Sequence, residues 1–488
     1  MEEAGVNDLM AVRLVLSSEQ EQECLIQLHH GELHDVERKI HQKAAASVTA
    51  KLLRQTLVNP QFRQKCRILA GEAGYQIHSY SSLEVTLCGS KHVTVTSPYF
   101  TKAQHQGRKK HKKGPRRTDA GRHVGLEVLG FMDRTSPYLA FHALSLSALA
   151  PSFAVASRIL QAEGHGICPD KLRRFAGIFD DFSVEERSRH STAPDESVAG
   201  KRVVVAVDGG RARERRSKSG AIANDQKRRG YHTKWKEPRL LTIACLNDEG
   251  DLDKTFSTQV DAVFGLKRLI ASVEAYLVTL QIDLAAEVIL VGDGAKWIWN
   301  HLPGLLRKLH IHPDRITEVI DYTHAKQNLN QLIETFLKPC TTHHETKIRW
   351  QRMNDLLYHG KLDDLQQLLI EHTSKGQKRA MKKKLKTYFL VNRHRMQYAS
   401  FEQRKIVRGS GIVESAIRRV INLRVKAPGS FWVLRKAETI CFLRAKLLFG
   451  RWNLLIRAWK RDLKDQFQAI SLPAIQTKQT STLKHHAA

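Results

Sequence analysis

The chain has 488 residues, 42% of them hydrophobic, and carries 79 Lys and Arg against 49 Asp and Glu, a formal net charge of +30. That apolar content excludes wholesale disorder, the length allows two to four domains at roughly 150 residues each, and self-repulsion on this scale points to a polyanionic partner, nucleic acid before an anionic membrane. Seven scattered cysteines with no C-x-x-C pair exclude a disulfide scaffold and a zinc ribbon alike, so reduced thiols in a cytoplasmic protein are expected.

The opening MEEAGVND is acidic and has no basic segment ahead of an apolar run, unlike a secretory leader. Residues 1 to about 80 read as helical, with turn signals only at Gly71 and Gly74. LEVTLCG and KHVTVTS then read as a β-hairpin, followed by a basic tract, Gly107 to Arg117, suited to non-specific phosphate contacts. Residues 1–130 are taken as one N-terminal helical and hairpin region. Thr135 to Ser157 lacks formal charge, but Pro137, His142, Pro151 and several serines interrupt it, so it reads as buried helix rather than a membrane span.

Residues 131–182 have helix-turn-helix grammar. The first helix carries Ala156, Ile159 and Leu160 on one side and ends at Gly164. The second opens near Pro169, with Leu172, Phe175 and Ile178 inward and Lys171, Arg173 and Arg174 outward. Such a unit either contacts DNA or is an ordinary helical hairpin between domains. A Ser-, Glu- and Arg-rich linker is expected over 183–200.

From Lys201 the pattern changes. KRVVVAVDGG, LLTIACLND and KTFSTQVD read as three strands, residues 262–280 as a helix bearing Val263, Leu266, Leu269, Ile270, Val273 and Leu277, and AEVILVGDG as a fourth strand. LPGLLRKLH is a short helix and ITEVIDYTH a fifth strand. This β-β-β-α-β-α-β order, an α/β core over 201–325, matches an RNase H-like mixed sheet. A helical insertion follows over 326–405, with turns at Gly360 and Gly376; core helices resume over 406–460, and 461–488 reads as a flexible tail.

Asp208 and Asp293 each end an apolar strand immediately before glycine. One Asp-Gly is commonly a turn; two, on strands that the fold order makes neighbours, suggest hard-oxygen ligands for Mg²⁺ or Mn²⁺. Glu414 lies in GSGIVESAIRRVINLRVK, on the flank of the apolar stripe Ile412, Val413, Ala416, Ile417, Val420 and Ile421. There it either leans toward the two aspartates or forms an exposed pair with Arg418.

VVVAVDGGRARERR, YHTKWKEPRLLTIACLNDEG, VILVGDGAKWIWN, VIDYTHAKQNL and GSGIVESAIRRVINLRVKAPGSFW, in that order, resemble the bacterial insertion-sequence transposases of the ISKra-like family, related in fold to the Mutator-like DDE enzymes. The resemblance runs from about Lys201 to Trp452. It implies a metal-dependent DNA transposase that cleaves ends and transfers strands, with Asp208, Asp293 and Glu414 holding two Mg²⁺ or Mn²⁺ ions. It also implies a supporting role for Asp321 and His324, a D-x-x-H element, with Asp321 as a structural strand-end residue the alternative. The partners implied are double-stranded DNA, as transposon ends and target, and a second copy of the chain. Where relatives often carry cysteine-bearing fingers this chain has the lone Cys88, so no zinc is expected.

Basic residues expected on DNA are Arg211, Arg213, Arg215 and Arg216 just after Asp208, Lys382 and Lys383 in the insertion, and Arg418 and Arg419 beside Glu414. Trp297, Trp299 and Trp350 are expected to pack in cores rather than stack on bases.

Overall fold

The computed structural model describes residues 33–102, 121–189, 196–220, 230–340 and 342–468. The basic tract at 107–117 and most of the expected tail lie outside them. The chain divides into two compact units, one of Met1–Ala143, Ser157–Lys171 and Lys460–Ala488, the other of Leu144–Ala156 and Leu172–Trp459.

In the first unit, α1 (Leu33–Val58) and α2 (Pro60–Glu72) precede strands β1 (Tyr75–Thr86) and β2 (His92–Lys102), which pair antiparallel. Helices therefore stop at 72 rather than near 80. The strand begins in YQIHSYSS, whose residues alternate half-buried and exposed along β1. Asn59 caps α2, its side chain accepting the Phe62 N–H at 3.0 Å. Ala50, Leu53 and Leu57 of α1 bury against Leu83, Val85, Val93 and Val95 of the hairpin and against Leu126 of α3 (Val124–Val128).

The uncharged segment forms α4 (Pro137–Leu149), followed by α5 (Phe153–Ala162) and α6 (Pro169–Arg189). The helices are where the sequence puts them, and Gly164 takes φ +83° in the turn. Ala156, Leu160, Leu172 and Phe175 are buried, but Ile159 and Ile178 are exposed; Ala176 and Phe179 are buried instead. Helix α6 also continues to Arg189, through the start of the expected linker.

The second unit is built on a five-stranded mixed sheet in the order β7-β6-β3-β8-β9. Its members are β3 (Arg202–Gly209), β6 (Pro238–Leu246), β7 (Gln259–Phe264), β8 (Glu287–Gly292) and β9 (Ile316–Ile320). Between β3 and β6 the chain makes a hairpin, β4 (Ala212–Ser217) with β5 (Tyr231–Lys236), which adds two strands to the order expected from the sequence. Strand β7 begins later than expected and takes Val263 with it, so α7 spans Leu266–Thr279. The helix expected at LPGLLRKLH is longer, α8 (Lys296–Lys308).

β3 and β8 are apolar along their length because both faces of the central sheet are covered. Val203, Val205, Val207, Val288 and Leu290 join Leu269, Val273 and Leu277 of α7 and Leu302 and Leu306 of α8 in one core. The other face receives α14 (Gly411–Ile417), which packs on β3 and β6.

The segment expected to be helical over 326–405 carries α9 (Tyr322–Phe336), which begins before 326, and α10 (His343–Tyr358), α11 (Leu362–His372), α12 (Lys378–Leu385) and α13 (Tyr398–Gln403). A π-helical turn over Lys386–Leu390 follows α12, and a second, Arg418–Asn422, follows α14. Helix α15 (Leu434–Leu448) lies along β7, and α16 (Trp452–Gln468) extends past the boundary at 461. A buried ionic cluster fastens α6 and α15 to the sheet edge: Arg187 pairs with Asp261 at 2.7 Å and Glu438 at 3.1 Å, and Glu438 also pairs with Arg268 and accepts the Phe264 N–H at 3.0 Å.

Six cysteines among the described residues are free thiols. Among those residues no helix is long and apolar enough to cross a membrane.

Candidate active site

Register brings three aspartates to one end of the sheet. In the parallel pair β3–β8, Arg202 lies opposite Glu287 and Ala206 opposite Val291; the same offset sets Asp208 level with Asp293. In β8–β9, Gly292 lies opposite Ile320, which sets Asp293 level with Asp321. Neighbouring strands are about 4.8 Å apart, so the three form a short row. Side chains alternate between faces. Since Val203, Val205 and Val207 enter the α7–α8 core, Asp208 belongs with Val204 and Ala206 to the opposite face, the one α14 covers.

Two glycines allow that close approach. A Cβ on Gly210 would lie 2.8 Å from Ile421 Cδ1, just beyond α14, and one on Gly294 would lie 2.1 Å from the Tyr388 ring. Tyr388 sits in the first π-helical turn, which carries the insertion up to the Asp293 loop. Asp293 is also tied locally: Oδ1 accepts the Ala295 N–H at 2.9 Å, and its carbonyl accepts the Trp299 indole N–H at 2.7 Å.

Asp208 is half-buried, and burial pushes its carboxyl up to about 6 against the pull of the Gly209 N–H; the charges of Asp293 and Glu414 push the same way and that of His324 opposes them. All four side chains therefore share one electrostatic neighbourhood. Asp321 behaves differently. Burial would raise it, but four hydrogen bonds outweigh burial and hold it at about 2. Its Oδ1 accepts from the His324 N–H at 2.7 Å, capping α9, and from His324 Nδ1 at 3.1 Å, while Oδ2 accepts from the N–H and the hydroxyl of Ser410, the latter at 2.8 Å.

Ser410 Oγ also lies 2.9 Å from Glu414 Oε1. One hydroxyl proton serves one carboxylate at a time, so a chain Asp321–Ser410–Glu414 leaves an oxygen facing an oxygen, an arrangement a cation relieves. Ligand atoms of Asp321, His324 and Glu414 lie within 4.8 Å of one another. With Nδ1 held by a saturated carboxylate, His324 keeps Nε2 available, the usual posture of a metal-ligating histidine. The Asp321 contact is the main cause that raises His324 above its ordinary value.

Among the described residues, Glu414 and the D-x-x-H pair thus form a group that could hold a metal ion, with Asp321 already engaged by its hydrogen bonds, while Asp208 and Asp293 join through register and charge. Sequence reasoning missed Ser410 and Tyr388. Ser410 had a signal, a hydroxyl at the head of the Glu414 helix; Tyr388 had none.

The expected basic residues are dispersed. Arg211 is exposed, Arg213 lies between the rings of Trp235 and Phe431, Arg215 lies over Tyr231, and Arg216 pairs with Glu214 at 2.8 Å. Lys382 and Lys383 are exposed on α12, Arg418 is exposed, and Arg419 stacks on Phe449 at 4.4 Å. Trp297 and Trp299 pack against the sheet core; Trp350 donates to Asn330 Oδ1 at 2.6 Å.

No protein-family model matches the chain, and no curated protein matches it. Among solved structures it is similar to the Drosophila P element transposase strand transfer complex, at 14% identity over 66% of this chain and 80% of that one, with a TM-score of 0.26. A likeness that loose assigns neither a fold nor an activity to this chain.

Proposed function

We propose that this chain is a DNA transposase of the ISKra-like type, with an RNase H-like core that carries out metal-dependent end cleavage and strand transfer. The observation that carries the reading is the convergence, on one face of a mixed sheet, of strand-end carboxylates with Glu414 from a helix about 120 residues further along the chain.

The donor set fits a divalent cation: hard carboxylate oxygens, among them Asp208, which burial first and then the charges of Asp293 and Glu414 raise to about 6, beside a histidine oriented by a second carboxylate. Asp208, Asp293 and Glu414 would hold two Mg²⁺ or Mn²⁺ ions, which when bound supply charge stabilisation to the attacking and leaving oxygens of a phosphodiester. Asp321 is a positioning residue, fixing the His324 ring and the Ser410 hydroxyl against Glu414. Arg211, Lys382, Lys383 and Arg418 are solvent-facing cations suited to phosphates of transposon ends and target, and two copies of the chain would hold two ends.

The test is joining of duplexes cut from the DNA that flanks the coding sequence, with Mg²⁺ or Mn²⁺, by wild type and Glu414→Gln. Joining lost in the variant with DNA binding kept is the expected result. Cleavage without joining would indicate a nuclease, and full activity in the variant would remove Glu414 from the site.

A further inference from the structure

The β4–β5 hairpin begins just past the Asp208 end of β3 and carries a ladder of alternating rings and guanidinium groups. Arg213 stands opposite Trp235, Arg215 opposite Thr233 and Ser217 opposite Tyr231, so these side chains share one face of the ribbon. Phe431 and Trp432 fasten that ribbon as a partial third strand: the Trp432 N–H donates to Arg213 O at 2.9 Å, and the Arg215 N–H donates to Trp432 O at 2.7 Å. Phe431 thereby enters the ladder. Arg213 lies 5.1 Å from the Trp235 ring centre and 5.2 Å from that of Phe431, Phe431 lies 5.6 Å from Tyr231, and Arg215 lies 4.4 Å from Tyr231.

Ala212 and Glu214, on the other face, are buried, which turns the ladder outward. Trp235 is 50% exposed and Tyr231 39%. Large rings pinned by guanidinium groups yet left in water do not serve a core, and phosphate contacts alone require no rings. Unpaired nucleotides need both, a π surface for the base and a cation for the phosphate. A duplex hides its base faces and gains nothing from such rings.

We propose that this ribbon is a stacking platform for unpaired DNA bases next to the Asp208 site. The choice of DNA rests on the transposase reading; the preference for unpaired bases rests on the ladder alone. Its occupant is the strand end, or the bases opposite it, once the duplex opens beside the scissile phosphate.

The test uses the full chain with chelator and no metal, binding a dT oligonucleotide and a blunt duplex, each over a salt series. Trp235→Ala and Tyr231→Ala should each weaken dT binding about tenfold while duplex binding stays within about twofold, and Trp235→Phe should restore dT binding. Binding of dT should also quench tryptophan fluorescence in wild type, with the quench reduced in Trp235→Phe. Equal losses on dT and duplex, no loss on either, or a Phe variant as weak as the Ala variant would overturn the platform. Failure of metal-dependent joining alongside an intact dT preference would count against the catalytic reading and leave the platform standing.

Discussion

Replacing Asp208 by Asn should stabilise the metal-free protein while removing its response to metal. The folded state holds this carboxyl at about 6 rather than the ordinary 3.8, so ionising it opposes folding. Taken at face value the rise is worth about 3 kcal/mol; partial exposure reduces that to about 1–2 kcal/mol. The sign follows from linkage. Below 3.8 the carboxyl is protonated in both states and nothing is lost; as pH rises from there through 6, stability falls because the unfolded chain releases the proton more readily. In chelator the variant should melt a few degrees above wild type near pH 7.5, with the free-energy gap about halved by pH 5. Adding Mg²⁺ or Mn²⁺ should reverse the order, since only wild type keeps the full ligand set and gains stability by mass action. Thermal melts followed by circular dichroism, with and without metal, at both pH values make the comparison. A variant less stable than wild type in chelator, or a gap that does not change with pH, would refute the account of Asp208; equal stabilisation of both proteins by metal would remove it from the ligand set.

Asp321→Asn should cost about 1–3 kcal/mol, because one amide oxygen cannot accept all four hydrogen bonds, and should weaken metal-dependent stabilisation; a melt unchanged in both respects would show the Ser410 relay to be idle. Glu438→Ala should destabilise by about 3–5 kcal/mol in urea, since fully buried Arg187 keeps its charge and loses a partner, and a loss below about 1 kcal/mol would mean that water reaches the cluster. Gly294→Ala should lower both stability and metal response, because its Cβ would overlap the Tyr388 ring; Gly294→Ala with Tyr388→Leu should recover part of the loss, and no recovery would place the strain elsewhere.

The strands of the core, the two Asp-Gly ends and the helices between Tyr322 and Gln403 were legible because each is written in local periodicity and turn chemistry. Boundaries erred where neighbouring signals overlap, as at Val263, which continues β7 although it also fits the spacing of α7. Ile159 and Ile178 fit an inward face by spacing, but which stripe of a helix is covered depends on what packs against it. The β4–β5 hairpin was missed although Tyr231, Thr233 and Trp235 alternate with His232, Lys234 and Lys236, because its partner ARERRS is too charged to read as a strand; its pairing is supported by stacked rings and by residues 431–432, far along the chain. Local order was enough to single out Asp208 and Asp293 as candidate ligands, because a carboxylate closing an apolar strand is written within a few neighbouring positions; Glu414, Asp321 and His324 were named through the family resemblance. Which of those carboxylates meet was settled by tertiary contacts. Parallel register, the packing of α14 over β3 and the reach of Ser410 from Asp321 to Glu414 all join distant segments, and no local pattern encodes them.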